Sequence, residues 1–203
     1  MKPSHIGALF IALSSLIPFT SYAADIEAGK SKSAVCAGCH GTDGNSASGT
    51  WPSLAGQHAS YLIKQLKDFK SGARVDPTMQ GMANILASEE DMQDVAAYYQ
   101  SQKLKPVRFD DQLIAKGESI FRGGITETSV PACMACHGPD GKGNAPAAWP
   151  LLKGQQPDYL VSQLKKFRDG SRANDANSMM RNVAARMTDA EIMSVSAYIA
   201  GIK

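Results

Sequence analysis

The sequence has little of what usually builds a large core or a membrane anchor. Aromatic residues make up only 7% of the 203 residues, and beyond residue 23 no apolar run is long enough to span a bilayer. The formal net charge is only +2, which gives no strong attraction to nucleic acid or to anionic lipid. There are only four cysteines, so their arrangement is more informative than their number. These absences argue against a membrane-spanning or nucleic-acid-binding protein.

The first 23 residues have the pattern of a cleavable export signal. Lys2 precedes an apolar run over residues 6–19, and residues 21–23 (Ser-Tyr-Ala) have the small-x-small form of a cleavage site. The alternative is a transmembrane anchor, but the run is too short to cross about 30 Å of hydrocarbon, and no positive cluster follows it. We therefore expect residues 1–23 to be removed and the mature chain to lie in the periplasm, an oxidising compartment.

The rest of the chain is an internal repeat. Residues 36–40 match residues 133–137 at an offset of 97, and later positions match at offsets of 98 to 101 because of short loop insertions. We expect two domains of the same fold, spanning 24–103 and 113–203. They are joined by a linker at 104–112, where Pro106 and clustered charges interrupt the helical pattern. The matched pairs include Tyr61/Tyr159, Gln65/Gln163, Phe69/Phe167, Arg74/Arg172 and Tyr98/Tyr198.

Each half has the pattern of helices joined by long loops, and the predicted fold class is all-α. Apolar positions in 61–69 follow helical spacing, and Ser88 and Thr188 resemble N-cap residues followed by acids. Gly29 and Gly117 lie where a short helix opens each half and allow close contact with the last helix of that half. A domain this small buries little apolar surface by itself, so a prosthetic group would complete its core.

The cysteines form the motif Cys-x-x-Cys-His twice, at Cys36, Cys39 and His40 and again at residues 133–137. This is the signature of covalent c-type haem attachment. Two thiols three positions apart can add to the two vinyl groups of one haem, and the adjacent histidine can coordinate the iron. A thioredoxin-like disulfide or a shared zinc site are the alternatives. Neither explains a histidine after each pair or two separate copies. We therefore predict two covalent haem c groups, attached at Cys36, Cys39, Cys133 and Cys136, with His40 and His137 as axial ligands.

The remaining histidines do not supply a second axial ligand for both irons. His5 is lost with the export signal, and His58 has Gln156 as its counterpart in the repeat. His58 is therefore interpreted as a solvated residue near the start of a helix.

Methionine is the remaining soft ligand. Aligning the segment from 79 with the segment from 180 pairs Met79 with Met180, and this is the pair in which both halves keep sulfur. Met79 and Met180 are therefore the predicted sixth ligands, with Met82 and Met179 as runners-up. Met92 and Met187 align with aliphatic residues and are expected to fill the core.

Pro52 and Pro150 follow the two motif histidines by 12 and 13 residues. Their carbonyl oxygens are placed to accept the Nδ1–H of the imidazole and to fix the ring, as the ligating histidines of metal sites usually require. A simple turn proline is the alternative.

Together these motifs resemble the di-haem cytochromes c4, over nearly all of the mature chain. The resemblance implies two class I cytochrome c domains, each wrapped around one haem, related by a pseudo-twofold axis with haem propionates near the interface. It maps the family's axial methionines onto Met79 and Met180. It also implies electron transfer from a quinol–cytochrome c oxidoreductase to a haem–copper oxidase. The family is often held loosely at the membrane surface.

With all six iron positions filled, the predicted function is outer-sphere electron transfer and not enzymatic catalysis. Two alternatives stay open. A di-haem peroxidase needs one exchangeable iron position, and an electron-transfer subunit of a periplasmic dehydrogenase would use the same domains.

Overall fold

A computed structural model describes residues 23–107 and 111–202. The predicted export signal, apart from Ala23, and the centre of the predicted linker (108–110) lie outside the described residues. Within the described ranges, no helix is both long and apolar enough to span a bilayer.

The first half is built from five α-helices, and it also contains a 3-10 turn at Ser33–Cys36. The helices are α1 (Ile26–Lys32), α2 (Ala37–His40), α3 (Ala59–Ser71), α4 (Pro77–Ile85) and α5 (Glu89–Ser101).

The second half repeats this order, with 3-10 turns at Asp111–Leu113 and Ala176–Ser178. Its helices are α6 (Ile114–Gly123), α7 (Met134–His137), α8 (Pro157–Asp169), α9 (Met179–Ala184) and α10 (Asp189–Gly201). The described residues contain no extended sheet, and only two isolated bridges occur, Ile125 with Val130 and Asn144 with Trp149. The all-α prediction is therefore confirmed, and the long loops of the two halves lie between α2 and α3 and between α7 and α8. The sequence pattern did not reveal α4 and α9.

The helix starts follow from their caps. The Ser88 side chain accepts from the Asp91 amide and the Asp91 carboxylate accepts from the Ser88 amide, a reciprocal pair that begins α5. Thr188 and Glu191 form the same pair at the start of α10. Both predicted N-caps are confirmed.

The first and last helices of each half cross at a glycine. A Cβ atom on Gly29 would lie 2.0 Å from the backbone oxygen of Asp94, and one on Gly117 would lie 2.0 Å from that of Ser194. Only hydrogen at the α-carbon permits this approach, as predicted for both glycines. The crossing lets α1 lie on α5, and α6 on α10.

Each half has its own small core. Met92 and Met187 are 5% and 4% exposed and pack within these cores, which confirms their predicted role as filler. The first core consists of Leu62, Leu86, Met92, Val95, Ala96, Tyr98 and Tyr99. The second consists of Ile120, Phe121, Val130, Leu160, Met187, Ile192, Val195, Tyr198 and Ile199.

The two halves meet across a polar interface at which α3 faces α8. Arg172 Nη2 donates to Tyr61 Oη at 3.1 Å and to Gln65 Oε1 at 3.1 Å. Arg74 Nη2 makes the equivalent bonds to Tyr159 Oη at 3.0 Å and Gln163 Oε1 at 2.8 Å. Both guanidinium groups are buried, and each also lies over a phenylalanine ring of its own half. The repeat-matched polar residues of the sequence therefore hold the halves together.

Candidate functional site

Both Cys-x-x-Cys-His motifs lie on a single turn of helix. α2 and α7 are each four residues long and end at the motif histidine, which is followed by a glycine with φ near +80°. The short turn places both thiols and the imidazole beside the same space. None of the four cysteines, all within the described residues, forms a disulfide. Burial raises the pKa of the Cys36 thiol and raises that of Cys133 to about 11, so both are protonated when free.

The two motif histidines are buried and held by backbone carbonyls. His40 Nδ1 lies 2.8 Å from the Pro52 oxygen, and His137 Nδ1 lies 3.1 Å from the Pro150 oxygen. A carbonyl can only accept, so Nδ1 carries the proton and the lone pair is on Nε2. Burial lowers the pKa of both histidines, which favours the neutral ring that binds a metal. The predicted hydrogen bonds between the motif histidines and the two proline carbonyls are confirmed.

A cavity of about 720 Å³, lined mainly by apolar side chains, runs between the two halves and is bordered by both motifs. Its walls offer thiols, a neutral imidazole and thioethers, which is the donor set that a covalently attached haem requires. The other side chains that line the cavity are mainly apolar and suit a large hydrophobic macrocycle. The residues present therefore fit one haem c in each half.

All four candidate methionines reach this cavity: Met79, Met82, Met179 and Met180 line it. The two predicted ligands and Met82 are partly buried, whereas Met179 is 39% exposed. The choice of Met79 and Met180 as the axial ligands stays a prediction.

The two methionine-bearing helices begin differently. The Asp76 carboxylate accepts from the Met79 amide and starts α4, after which Pro77 fits the first turn. Before α9, Asn177 and Ser178 both have left-handed backbone angles, with φ of 52° and 57°. Asp175 bonds to the Arg181 amide and guanidinium instead. The backbone segment that leads into α9 and Met180 is therefore longer and more strained than the segment that leads into α4 and Met79.

Sequence reasoning missed the contacts between the halves. His58 is not simply solvated, because its Nε2 lies 2.7 Å from the Lys142 carbonyl of the other half. Its counterpart Gln156 donates to the Ser46 carbonyl at 2.7 Å. Two further glutamines, Gln57 and Gln155, bond the backbone beside the motif prolines of the opposite half. These positions are polar in both repeats, but a polar residue on a loop predicts exposure, so no local signal pointed to the contacts.

Comparison with known proteins agrees with this site. The family model described as cytochrome c matches residues 26–103 and again residues 114–203. Cytochrome c4 of Azotobacter vinelandii is 44% identical over 190 residues, covering 89% of this chain and 90% of the relative. The crystal structure of reduced recombinant cytochrome c4 from Pseudomonas stutzeri superposes with a TM-score of 0.85 at 43% identity, covering 89% of this chain and all of that one.

The chain is also similar to a second kind of protein. The thiosulfate dehydrogenase electron acceptor of Stutzerimonas stutzeri is 41% identical over 172 residues, covering 82% of this chain and 78% of the relative.

The family of the chain follows from three findings. One family model matches the chain twice, both halves carry the Cys-x-x-Cys-His motif, and the likeness to cytochrome c4 covers most of the chain. The chain belongs to the cytochrome c family, and within it to the di-haem cytochromes c4, electron carriers with two covalently bound haem c groups.

Proposed function

We propose that this chain is a periplasmic electron carrier in which His40 and Met79 ligate one iron and His137 and Met180 ligate the other. The observation that carries the proposal is the duplication of the whole donor set. Each half presents two thiols, a carbonyl-bound neutral imidazole and a methionine to the same cavity. When bound, haem c supplies a one-electron Fe(II)/Fe(III) couple.

The residues of the chain set how that couple behaves. The carbonyls of Pro52 and Pro150 hold each imidazole in one orientation and leave Nε2 as the nitrogen that would bind the iron. Thioether ligation favours the reduced state, and the apolar walls exclude water, so both raise the potential. A high potential suits a carrier late in a respiratory chain. We infer a quinol–cytochrome c oxidoreductase as donor and a haem–copper oxidase as acceptor.

A methionine in each half leaves no iron position for a substrate, which argues against a peroxidase. The competing proposal is an electron acceptor for a periplasmic dehydrogenase. It is favoured by the likeness to the thiosulfate dehydrogenase electron acceptor of Stutzerimonas stutzeri. Reduction of the purified protein by quinol–cytochrome c oxidoreductase, compared with reduction by thiosulfate dehydrogenase, separates the two proposals.

The predicted export signal at residues 1–23 supports a periplasmic location, and N-terminal sequencing of the mature protein should begin at Ala24. We also propose domain bounds of 24–103 and 113–203 with a linker at 104–112. Limited proteolysis should then cut first within that linker. Loose attachment to the membrane surface would be seen as release of the protein from membranes by salt.

The ligand assignment is tested by carbon monoxide binding to the dithionite-reduced protein. We expect no prompt binding in the wild type, because both irons have six ligands. Met79→Ala and Met180→Ala should each open about half of the haem to carbon monoxide. The visible spectrum measures this directly.

Met82→Leu and Met179→Leu are matched controls, because both residues line the same cavity. Neither substitution should permit binding. If Met82→Leu opens a haem and Met79→Ala does not, Met82 is the ligand. If half of the wild-type haem binds carbon monoxide, a catalytic iron replaces the carrier as the leading proposal.

A further inference from the structure

The peptide bond after each motif proline is hydrogen-bonded at both ends. In the first half, the Pro52 oxygen lies 2.8 Å from His40 Nδ1, and the amide of the same peptide unit, Ser53 N–H, donates to Gln155 Oε1 at 2.8 Å. Gln155 belongs to the second half. One peptide group therefore joins the motif histidine of one half to a glutamine of the other.

The second half shows the same arrangement in reverse. The Pro150 oxygen lies 3.1 Å from His137 Nδ1, and Leu151 N–H donates to Gln57 Oε1 of the first half at 2.9 Å. The same contact between a glutamine and the peptide after the motif proline therefore occurs twice, each time between the halves. Chance packing does not explain such a reciprocal pair.

Both glutamines are tightly held. Gln155 Nε2 donates to the Ser53 carbonyl at 2.9 Å, and Gln57 Nε2 donates to the Leu151 carbonyl at 2.8 Å. Each amide therefore pairs with both polar groups of one residue, as a neighbouring β-strand would. Gln57 is 4% exposed and Gln155 is 7% exposed. Water does not compete for these bonds.

Hydrogen bonds in a chain strengthen one another, and more so in a buried, weakly polarisable environment. A peptide whose N–H is donated carries more negative charge on its carbonyl oxygen. That oxygen then attracts the imidazole Nδ1–H more strongly and makes the ring a better electron donor at Nε2. A more basic imidazole stabilises Fe(III) and lowers the potential of its haem.

We propose that Gln57 and Gln155 are positioning residues that act across the interface, each tuning the iron-ligating histidine of the opposite half. This inference rests on the proposed ligation by His40 and His137. Domain docking and redox potential are then linked, because parting the halves removes both glutamines from their peptides. The redox potential of each haem is then set in part by a glutamine of the other half.

The test is a redox titration of the holoprotein followed by the NMR signals of the haem methyl groups, which report each haem separately. Gln155→Met keeps the side-chain length and removes both hydrogen bonds. It should raise the potential of the haem attached at Cys36 and Cys39, with a roughly two- to tenfold higher ratio of reduced to oxidised haem at fixed potential. The haem attached at Cys133 and Cys136 should not change. Gln57→Met should instead raise the potential of the haem attached at Cys133 and Cys136 and leave that of the first haem unchanged.

Gln156→Met is the matched control. Gln156 lies next to Gln155, is 8% exposed and also bonds across the interface, but to the Ser46 carbonyl, which bonds no histidine. Both potentials should stay at their wild-type values in this variant. If Gln155→Met does not fold, Gln155→Asn withdraws the same amide by one methylene and should shift the potential in the same direction.

The proposal is overturned if Gln155→Met leaves the potential of the first haem unchanged, shifts that of the haem in its own half instead, or shifts both. It is also overturned if Gln156→Met shifts the potential of the first haem as far as Gln155→Met does. A visible spectrum recorded on each variant keeps this outcome distinct from failure of the proposed function. If both haems stay six-coordinate while the potentials do not move, the carrier stands and the cross-domain tuning does not.

Discussion

At the scale of single residues, the repeat reveals how two neighbouring tyrosines differ. Tyr98 Oη donates to the Thr42 carbonyl at 2.8 Å. The buried Tyr99 hydroxyl lies beside the side chains of Ser33 and Cys36 but forms no hydrogen bond of normal geometry with any described residue. The repeat counterpart of Tyr99 is Ile199, which has no hydroxyl at all. The position therefore holds a side chain of the core in both halves, and the hydroxyl is present in the first half alone.

Tyr99→Phe should leave the stability unchanged or raise it by up to about 1 kcal/mol, because it removes an unsatisfied buried group. Tyr98→Phe should instead lower the free energy of unfolding by about 1 kcal/mol, because it removes a hydrogen bond and leaves the Thr42 carbonyl without its donor. Denaturant titration of both holoproteins measures the difference. A clear loss in Tyr99→Phe would show that the hydroxyl does have a partner in the holoprotein.

At the scale of elements, each half depends on the crossing of its first and last helices. The Gly117 position on α6 has no room for a side chain, since an added Cβ would meet the Ser194 backbone at 2.0 Å and the Tyr198 Cβ at 2.7 Å. Backbone atoms cannot give way as a flexible side chain can. A methyl group there must separate α6 from α10.

Gly117→Ala should lower the free energy of unfolding by about 1–3 kcal/mol, the usual cost of overpacking, despite the better helix propensity of alanine. Gly123→Ala lies on the same helix, with no atom within 4 Å of the added Cβ, and should be neutral or slightly stabilising. Thermal unfolding of the two variants compares them directly. Equal stability of the two would mean that the helices separate without cost.

At the scale of the whole molecule, the sequence predicted what each half contains but not how the halves meet. The repeat, the caps at Ser88 and Thr188 and the Cys-x-x-Cys-His turns are local signals, and each was confirmed where the structure tests it. Gln57 and Gln155 carry no local signal, since a polar residue on a loop predicts exposure. Both are nevertheless buried, and both bond the backbone of the partner half. The interface is a long-range property that a single sequence does not encode locally.

The buried arginines provide a test of how firmly the halves are joined. Arg172 uses the fixed fork of its guanidinium to reach Gln163 of its own half and Tyr61 and Gln65 of the other. Arg172→Lys keeps the positive charge but cannot reproduce three bonds in one plane. Domain docking should weaken, so the Ser53 and Leu151 amides, which bond across the interface, should exchange hydrogen with solvent faster. The Leu54 amide, which bonds to Gly44 within its own half, should keep its rate, and hydrogen-exchange NMR resolves all three.

Arg122→Lys is the control for the substitution itself, because Arg122 is about half exposed, pairs with Glu118 on the same helix and approaches the Tyr198 ring of its own half. An exposed pair of this kind contributes little, so no amide at the interface should change. If Arg172→Lys likewise leaves Ser53 and Leu151 protected, the guanidinium of Arg172 is dispensable for docking. The contacts of Arg74, His58 and the glutamines then suffice to hold the halves together. Faster exchange at both amides from one distant substitution shows instead that the interface opens as a unit, which is the condition for any change in docking to reach both haems at once.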